Sequence, residues 1–224
     1  MLQFLENHVS VKHIVKGMIT IMENRTEEIW ATLASVIAER KERDWVQAIP
    51  VTESCKDVLL SQLSAALLSC NKQVLEWQRK GEKGDTAFIA LSFLNSSVLT
   101  GEYDLRIDFY DDRFLVDTAD AYAYFSYKHL MPIYQESAEA ICQEADNQFV
   151  RLMDYEQDAL NWKYKDEVLI PLIKSVCSYS LLHPDMADVW PQLSLTANCV
   201  LTFGGFLHDQ QLYLRIPQLA GADL

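Results

Sequence analysis

Tyr103-Asp104-Leu105-Arg106-Ile107-Asp108-Phe109 decides the fold. Its apolar residues Tyr103, Leu105, Ile107 and Phe109 alternate with Asp104, Arg106 and Asp108. Side chains repeat every second residue along a β-strand, so this stretch predicts a strand with one buried face and one wet, charged face. Half-buried strands of that kind belong to antiparallel sheets. Tyr110-Asp111-Asp112-Arg113 predicts a turn, and Phe114–Val116 a short antiparallel partner beyond it. Upstream, Ala87–Phe93 reads as a strand and Asn95-Ser96-Ser97 as a turn or irregular stretch. Near the C-terminus, Leu195–Phe206 and Gln211–Ile216 read as a hairpin turning at His208-Asp209-Gln210, with a bulge expected at Gly204-Gly205. Tyr213-Leu214-Arg215-Ile216 echoes the opening stretch.

Elsewhere the period is helical. Phe4, Val11, Val15, Met18 and Met22 predict a helix over 3–23. Asn24-Arg25-Thr26-Glu27 has the residues of a capping box. The helix it opens spans about 26–43, with Ile29, Leu33, Val36 and Ile37 inside. Ala48-Ile49-Pro50 predicts a break, because proline brings no N–H to the helical ladder. Thr52 or Ser54 then starts a helix covering about 55–79, with Leu59, Leu63, Leu67, Cys70, Val74 and Trp77 on one face. A glycine turn follows at 81–85. Further helices are expected over about 133–153 and over Tyr155–Leu182, the latter interrupted at Pro171. The expected core includes Leu33, Leu63, Leu67, Ile107, Phe149, Val176 and Leu201. The fold class is α+β: one domain over 1–224, with helices packed on an antiparallel sheet. The order of elements also admits two α-then-β halves sharing that sheet.

The charge is segregated. Residues 102–158 hold 14 acids and 4 bases, whereas the whole chain carries a net −13. Such a field repels nucleic acid and anionic membrane and attracts basic partners. Among the aromatics Tyr122, Tyr124, Phe125, Tyr127 and Tyr134 only Lys128 is interleaved, which excludes a nucleic-acid surface. Glu6 interrupts any N-terminal signal sequence, and no window reaches the roughly 20 apolar residues of a membrane span. A cytoplasmic protein is the expectation. The 7 glycines form no GxGxxG, GxxxxGK[ST] or GxSxG, which argues against phosphate cradles and nucleophile elbows.

Glu102, Asp104, Asp108, Asp111, Asp112, Asp117 and Asp120 crowd the central hairpin, with Arg106 and Arg113 to offset them. Acids in this pattern fit a divalent-metal cage, a carboxylate pair for acid–base work, or a face that meets lysines and arginines of a partner. They equally fit a solvated sheet face that guards a strand edge. No DxDxDG loop is present. His183, Asp185 and Asp188 form the one compact His/Asp group, and turn chemistry around Pro184 accounts for it.

The expectation is therefore a protein-binding module that docks a basic protein, as an inhibitor, immunity-type antitoxin or adaptor does. Its contacts would be Asp104, Asp108, Tyr110, Asp111, Asp112, Tyr122, Glu136 and Glu139. Two alternatives stay open. One is an enzyme without a linear motif, using hairpin carboxylates with His129 or His183. The other is a subunit that oligomerises through its sheet edge. Nothing in the sequence points to a cofactor or a metal. Cys55, Cys70, Cys142, Cys177 and Cys199 are odd in number, never closer than 15 residues and set among apolar neighbours, which reads as free thiols. Thiol titration of the denatured, unreduced protein should find all five.

Overall fold

Five strands form one mixed sheet in the order β3-β2-β1-β4-β5. They are β1 (Thr86–Phe93), β2 (Asp104–Tyr110), β3 (Tyr122–Ser126), β4 (Leu195–Gly205) and β5 (Gln210–Arg215). The computed structural model describes residues 25–216, so the helix expected over 3–23 lies outside the described residues. Around the strands in sequence come α1 (helical over 25–32), α2 (Ala34–Ser54), α3 (Lys56–Arg79), α4 (Asn95–Thr100), α5 (Met131–Gln148), α6 (Asp154–Tyr164) and α7 (Ile170–Leu181). The class is α+β. Contacts divide the chain into two compact units. One joins the described residues up to Gln47 with Pro132–Leu169; the other joins Ala48–Met131 with the described residues from Ile170 and holds the whole sheet.

All pairings but one are antiparallel. The expected antiparallel sheet is corrected at its centre, where β1 and β4 run parallel, Ile89 opposite Leu201 and Leu91 opposite Phe203. The meander β1-β2-β3 and the hairpin β4-β5 are separately local, and they meet through the two strands that each begins with. The stretches that echo each other fall on β2 and β5, which flank this parallel pair. Alternation sorts the sheet residues. Leu105, Ile107, Phe109, Ile89, Leu91 and Leu201 are all buried. Helix α3 lies against β2 and β3 and buries Leu63, Leu67, Cys70 and Val74.

Several boundaries differ from expectation, each for a local reason. Helix α2 runs through Pro50 instead of breaking there. Val46, Ile49 and Pro50 are exposed, so the carbonyl that proline leaves without an N–H partner is within reach of water. The break comes at Cys55, whose N–H is shared between the Val51 and Thr52 carbonyls. Ser54 caps nothing, and its hydroxyl bonds back to the Val51 carbonyl at 2.8 Å. Asn95–Thr100 is a helical turn, not an irregular one. Phe114–Val116 is a 3₁₀ turn, and the partner of β2 is β3. Helix α5 ends at Gln148, which leaves Phe149 half-buried and outside the core; the other six expected core residues are buried. The helix expected over Tyr155–Leu182 widens into a π-turn at Lys165–Leu169, directly before Pro171.

The expected bulge also moves. Leu201 pairs with Leu214 and Thr202 with Leu212, so the extra residue is Tyr213 on β5. Gly204 serves another purpose: a Cβ there would meet the Asp209 carbonyl oxygen at 2.0 Å. Its bare backbone lets the hairpin close. Gly204→Ala should therefore cost about 2 kcal/mol, the scale of overpacking, read as a lowered urea midpoint at unchanged slope.

Candidate functional site

The acids of the central hairpin divide into those bound inside the protein and those left outside. Lys83, fully buried, forms an ion pair with the equally buried Asp117 and donates to the Ala119 carbonyl at 2.8 Å. Asp117 also accepts the N–H groups of Asp111 (3.1 Å) and Ala119 (2.9 Å). Asp111 takes the Arg113 guanidinium on both oxygens and the N–H groups of Arg113 and Gly84. Burial alone would raise the Asp111 carboxyl. The Arg113 fork and these N–H donors together outweigh it and hold the group at about 2. The expected turn residue Asp111 is thus an internal clamp for the 111–121 loop, while its neighbour Asp112 is exposed.

Asp108 was expected on the wet face beside Asp104. It is 3% exposed, with both carboxylate oxygens on Arg106 Nε at 2.8 and 3.0 Å. The reason lies across the strands. The Arg106 guanidinium is held between the rings of Tyr122 and Phe206, 4.1 and 4.5 Å from their centroids, and this sandwich covers the carboxylate. Burial pushes the Asp108 carboxyl up, and the Arg106 fork offsets part of that. Tyr110 is half-buried and edge-on to Phe114; burial first and Asp108 second push its phenol up to about 12.

Two of the acids left outside, Glu102 and Asp104, line a cleft. Leu94 is extended, α4 makes one short helical run, and Gly101 ends it in the left-handed region at φ 75°. The Ser97 carbonyl then accepts the N–H groups of Glu102 and Tyr103, and the Ser97 hydroxyl accepts that of Asp104 at 2.6 Å. This turn aims Glu102 and Asp104 into a shallow cleft of about 250 Å³, walled also by Leu94, Ser96, Thr100 and Tyr124. Among the described residues, Glu102, Asp104, Asp112 and Asp120 form no ion pair within 4.0 Å. Tyr124 and Tyr122 stand on the same sheet face, 50% and 37% exposed, their rings edge-on at 5.8 Å. The sequence places Glu102 in the acidic cluster and Tyr124 among the aromatics, but the expected contacts took only Asp104 and Tyr122 from this cleft and its rim. The spacing of Tyr124, two residues beyond Tyr122, was the available signal.

Glu136 and Glu139 belong to the other unit. Both are exposed, and Glu136 is held by Arg43 at 2.8 Å. That unit buries Asp44, which accepts the Ser137 hydroxyl at 2.6 Å and the Tyr164 hydroxyl at 2.8 Å. Burial pushes the Asp44 carboxyl up against these two donors. Both Asp44 oxygens are hydrogen-bonded, which makes the group a polar pin in a helical core.

Neither histidine of the enzyme alternative hydrogen-bonds to a hairpin carboxylate. His183 Nδ1 accepts the Asp185 N–H at 3.3 Å, capping the 3₁₀ turn at Pro184–Met186. His129 is half-buried, and burial pushes its imidazole down. Among the described residues no three His, Cys, Asp or Glu side chains are grouped to hold a metal ion, and no helix is long and apolar enough to cross a membrane.

The buried ion pair has a measurable signature. Lys83→Met should cost about 3 kcal/mol in urea unfolding, because it leaves the buried Asp117 carboxylate with only the longer Arg113 contact at 3.4 Å. Lys83→Met with Asp117→Leu should recover much of that loss, since it removes both charges together. Comparison with known proteins adds no relative: no family model, no curated protein and no solved structure matches this chain.

Proposed function

We propose that this chain is a protein-binding module that docks a basic segment of a partner protein at the Glu102–Asp104 cleft. One observation carries the reading: two carboxylates without internal partners share a cleft with a half-exposed tyrosine. The hairpin's other charges are consumed. Asp108 offsets Arg106, while Asp111 and Asp117 together hold Lys83 and Arg113. The charge that the hairpin itself leaves uncompensated therefore lies on Glu102, Asp104, Asp112 and Asp120. Exposed acids of this kind steer association, and an aromatic beside them supplies contact area and slows release. Asp108 and Asp111 hold the docking surface together from inside.

Pull-downs from the protein's own cell extract across a salt series test this. A true partner should be lost steeply as salt rises, because exposed charges are screened beyond about 8 Å at physiological ionic strength. Glu102→Lys with Asp104→Lys should slow association severalfold while changing folding stability by no more than about 0.5 kcal/mol. Tyr124→Ala should chiefly speed dissociation. A captured partner that binds the doubly reversed protein at the wild-type rate overturns the reading.

A further inference from the structure

Strand β3 is the outer strand of the sheet on its side, hydrogen-bonded to β2 alone. Its backbone groups alternate in direction. The Ala121 carbonyl accepts from Phe109 and the Tyr127 N–H donates to Tyr103, so odd-numbered residues face inward to β2. Even-numbered residues face outward. Gln73, on α3, confirms this at Tyr122: its side-chain amide donates to the Tyr122 carbonyl at 2.8 Å and accepts the Tyr122 N–H at 3.2 Å. At the far end, Asp104 opposes Ser126 and gives its N–H to the Ser97 hydroxyl, as an opposed pair outside the ladder must. The outward groups of Tyr122 are therefore capped, and those of Tyr124 and Ser126 present a half-open edge. The strand reads Tyr-Ala-Tyr-Phe-Ser, with no proline and no lysine to discourage pairing.

We infer that this open edge takes an extended segment of the basic partner as a sixth strand. The inference rests on the proposed function and names how that site is used. Backbone hydrogen bonds at Tyr124 and Ser126 would give the added strand its affinity, while side chains alternating to one face give specificity. A residue opposite Tyr124 puts its side chain on the face that carries the Glu102–Asp104 cleft, where lysine or arginine complements two carboxylates. The same carboxylates argue against a second copy of this chain, since a β3-to-β3 pairing would bring both acidic clefts together.

The test uses the full chain and a blocked hexapeptide of alternating lysine and valine, with a twin N-methylated on alternate backbone nitrogens. The peptide should bind at low salt and slow amide exchange at Tyr124 and Ser126 about tenfold or more. The N-methylated twin keeps every charge and should bind about tenfold more weakly. Tyr124→Pro, which removes one outward N–H, should weaken the unmodified peptide similarly. The two peptides on wild-type protein decide the matter if the proline variant fails to fold. Equal binding of both peptides, with exchange at Tyr124 and Ser126 unchanged, overturns strand addition and leaves docking by charge intact. Absence of peptide binding at low salt overturns both. Slowing of those amides by protein concentration alone makes the occupant a second copy and overturns the partner segment.

Discussion

The Lys83–Asp117 ion pair is the constraint on which the open side of the sheet depends. A buried lysine and a buried aspartate each lose their hydration, and their mutual attraction offsets this only when other groups complete the set. Here they do. Asp117 gathers the N–H groups of Asp111 and Ala119, Lys83 reaches the Ala119 carbonyl, and Arg113 bridges Asp111 and Asp117. Four residues of a surface loop that would otherwise be free to wander, Asp111, Arg113, Asp117 and Ala119, are tied to the glycine turn after α3. That turn is fixed in its own right by Gln78, which bonds Gly84 and Asp85. The chain leaves β2, is held at Asp117, and re-enters the sheet as β3 in register. Everything exposed on β3 is displayed by an interior device.

The strand pattern was legible because its physics is local. Leu105, Ile107 and Phe109 had to share a face, and they do. The helices were legible for the same reason, down to the buried stripe of α3. Beyond element boundaries, what failed was non-local. No pattern in Val200 or Ile89 says that β4 will lie parallel to β1, because a crossover of about a hundred residues leaves no short-range trace. Nor does alternation distinguish a wet aspartate from a covered one. Asp104 and Asp108 look alike in sequence, and the difference is made by Tyr122 and Phe206, from two other segments, closing over Arg106. Phe114–Val116 was misread because apolar residues after a turn resemble a returning strand, whereas the clamp at Asp117 bends them into a 3₁₀ turn.

The acidic cluster shows why net charge is a poor guide to a site. An excess of carboxylates within one hairpin looks like a single feature, and in space it has two opposite uses. Some acids are sunk beneath arginine and lysine, where they organise backbone. Others stand exposed without an ion pair, open to what approaches. Only the second kind contributes a field that reaches outward, since a paired, covered charge presents little more than a dipole. The candidate site is accordingly smaller than the acidic segment that announced it.

Gln73 has a consequence beyond the bond lengths at Tyr122. A side chain that imitates a neighbouring strand for one residue, then stops, sets where pairing along that edge can begin. Sliding by two residues would require displacing an amide that already makes both hydrogen bonds, and sliding by one would turn every side chain to the wrong face. The edge therefore has a built-in origin. Long, sheet-propagating stacks of the kind that lead to fibrils need an edge free along its length, and this one is closed at its start.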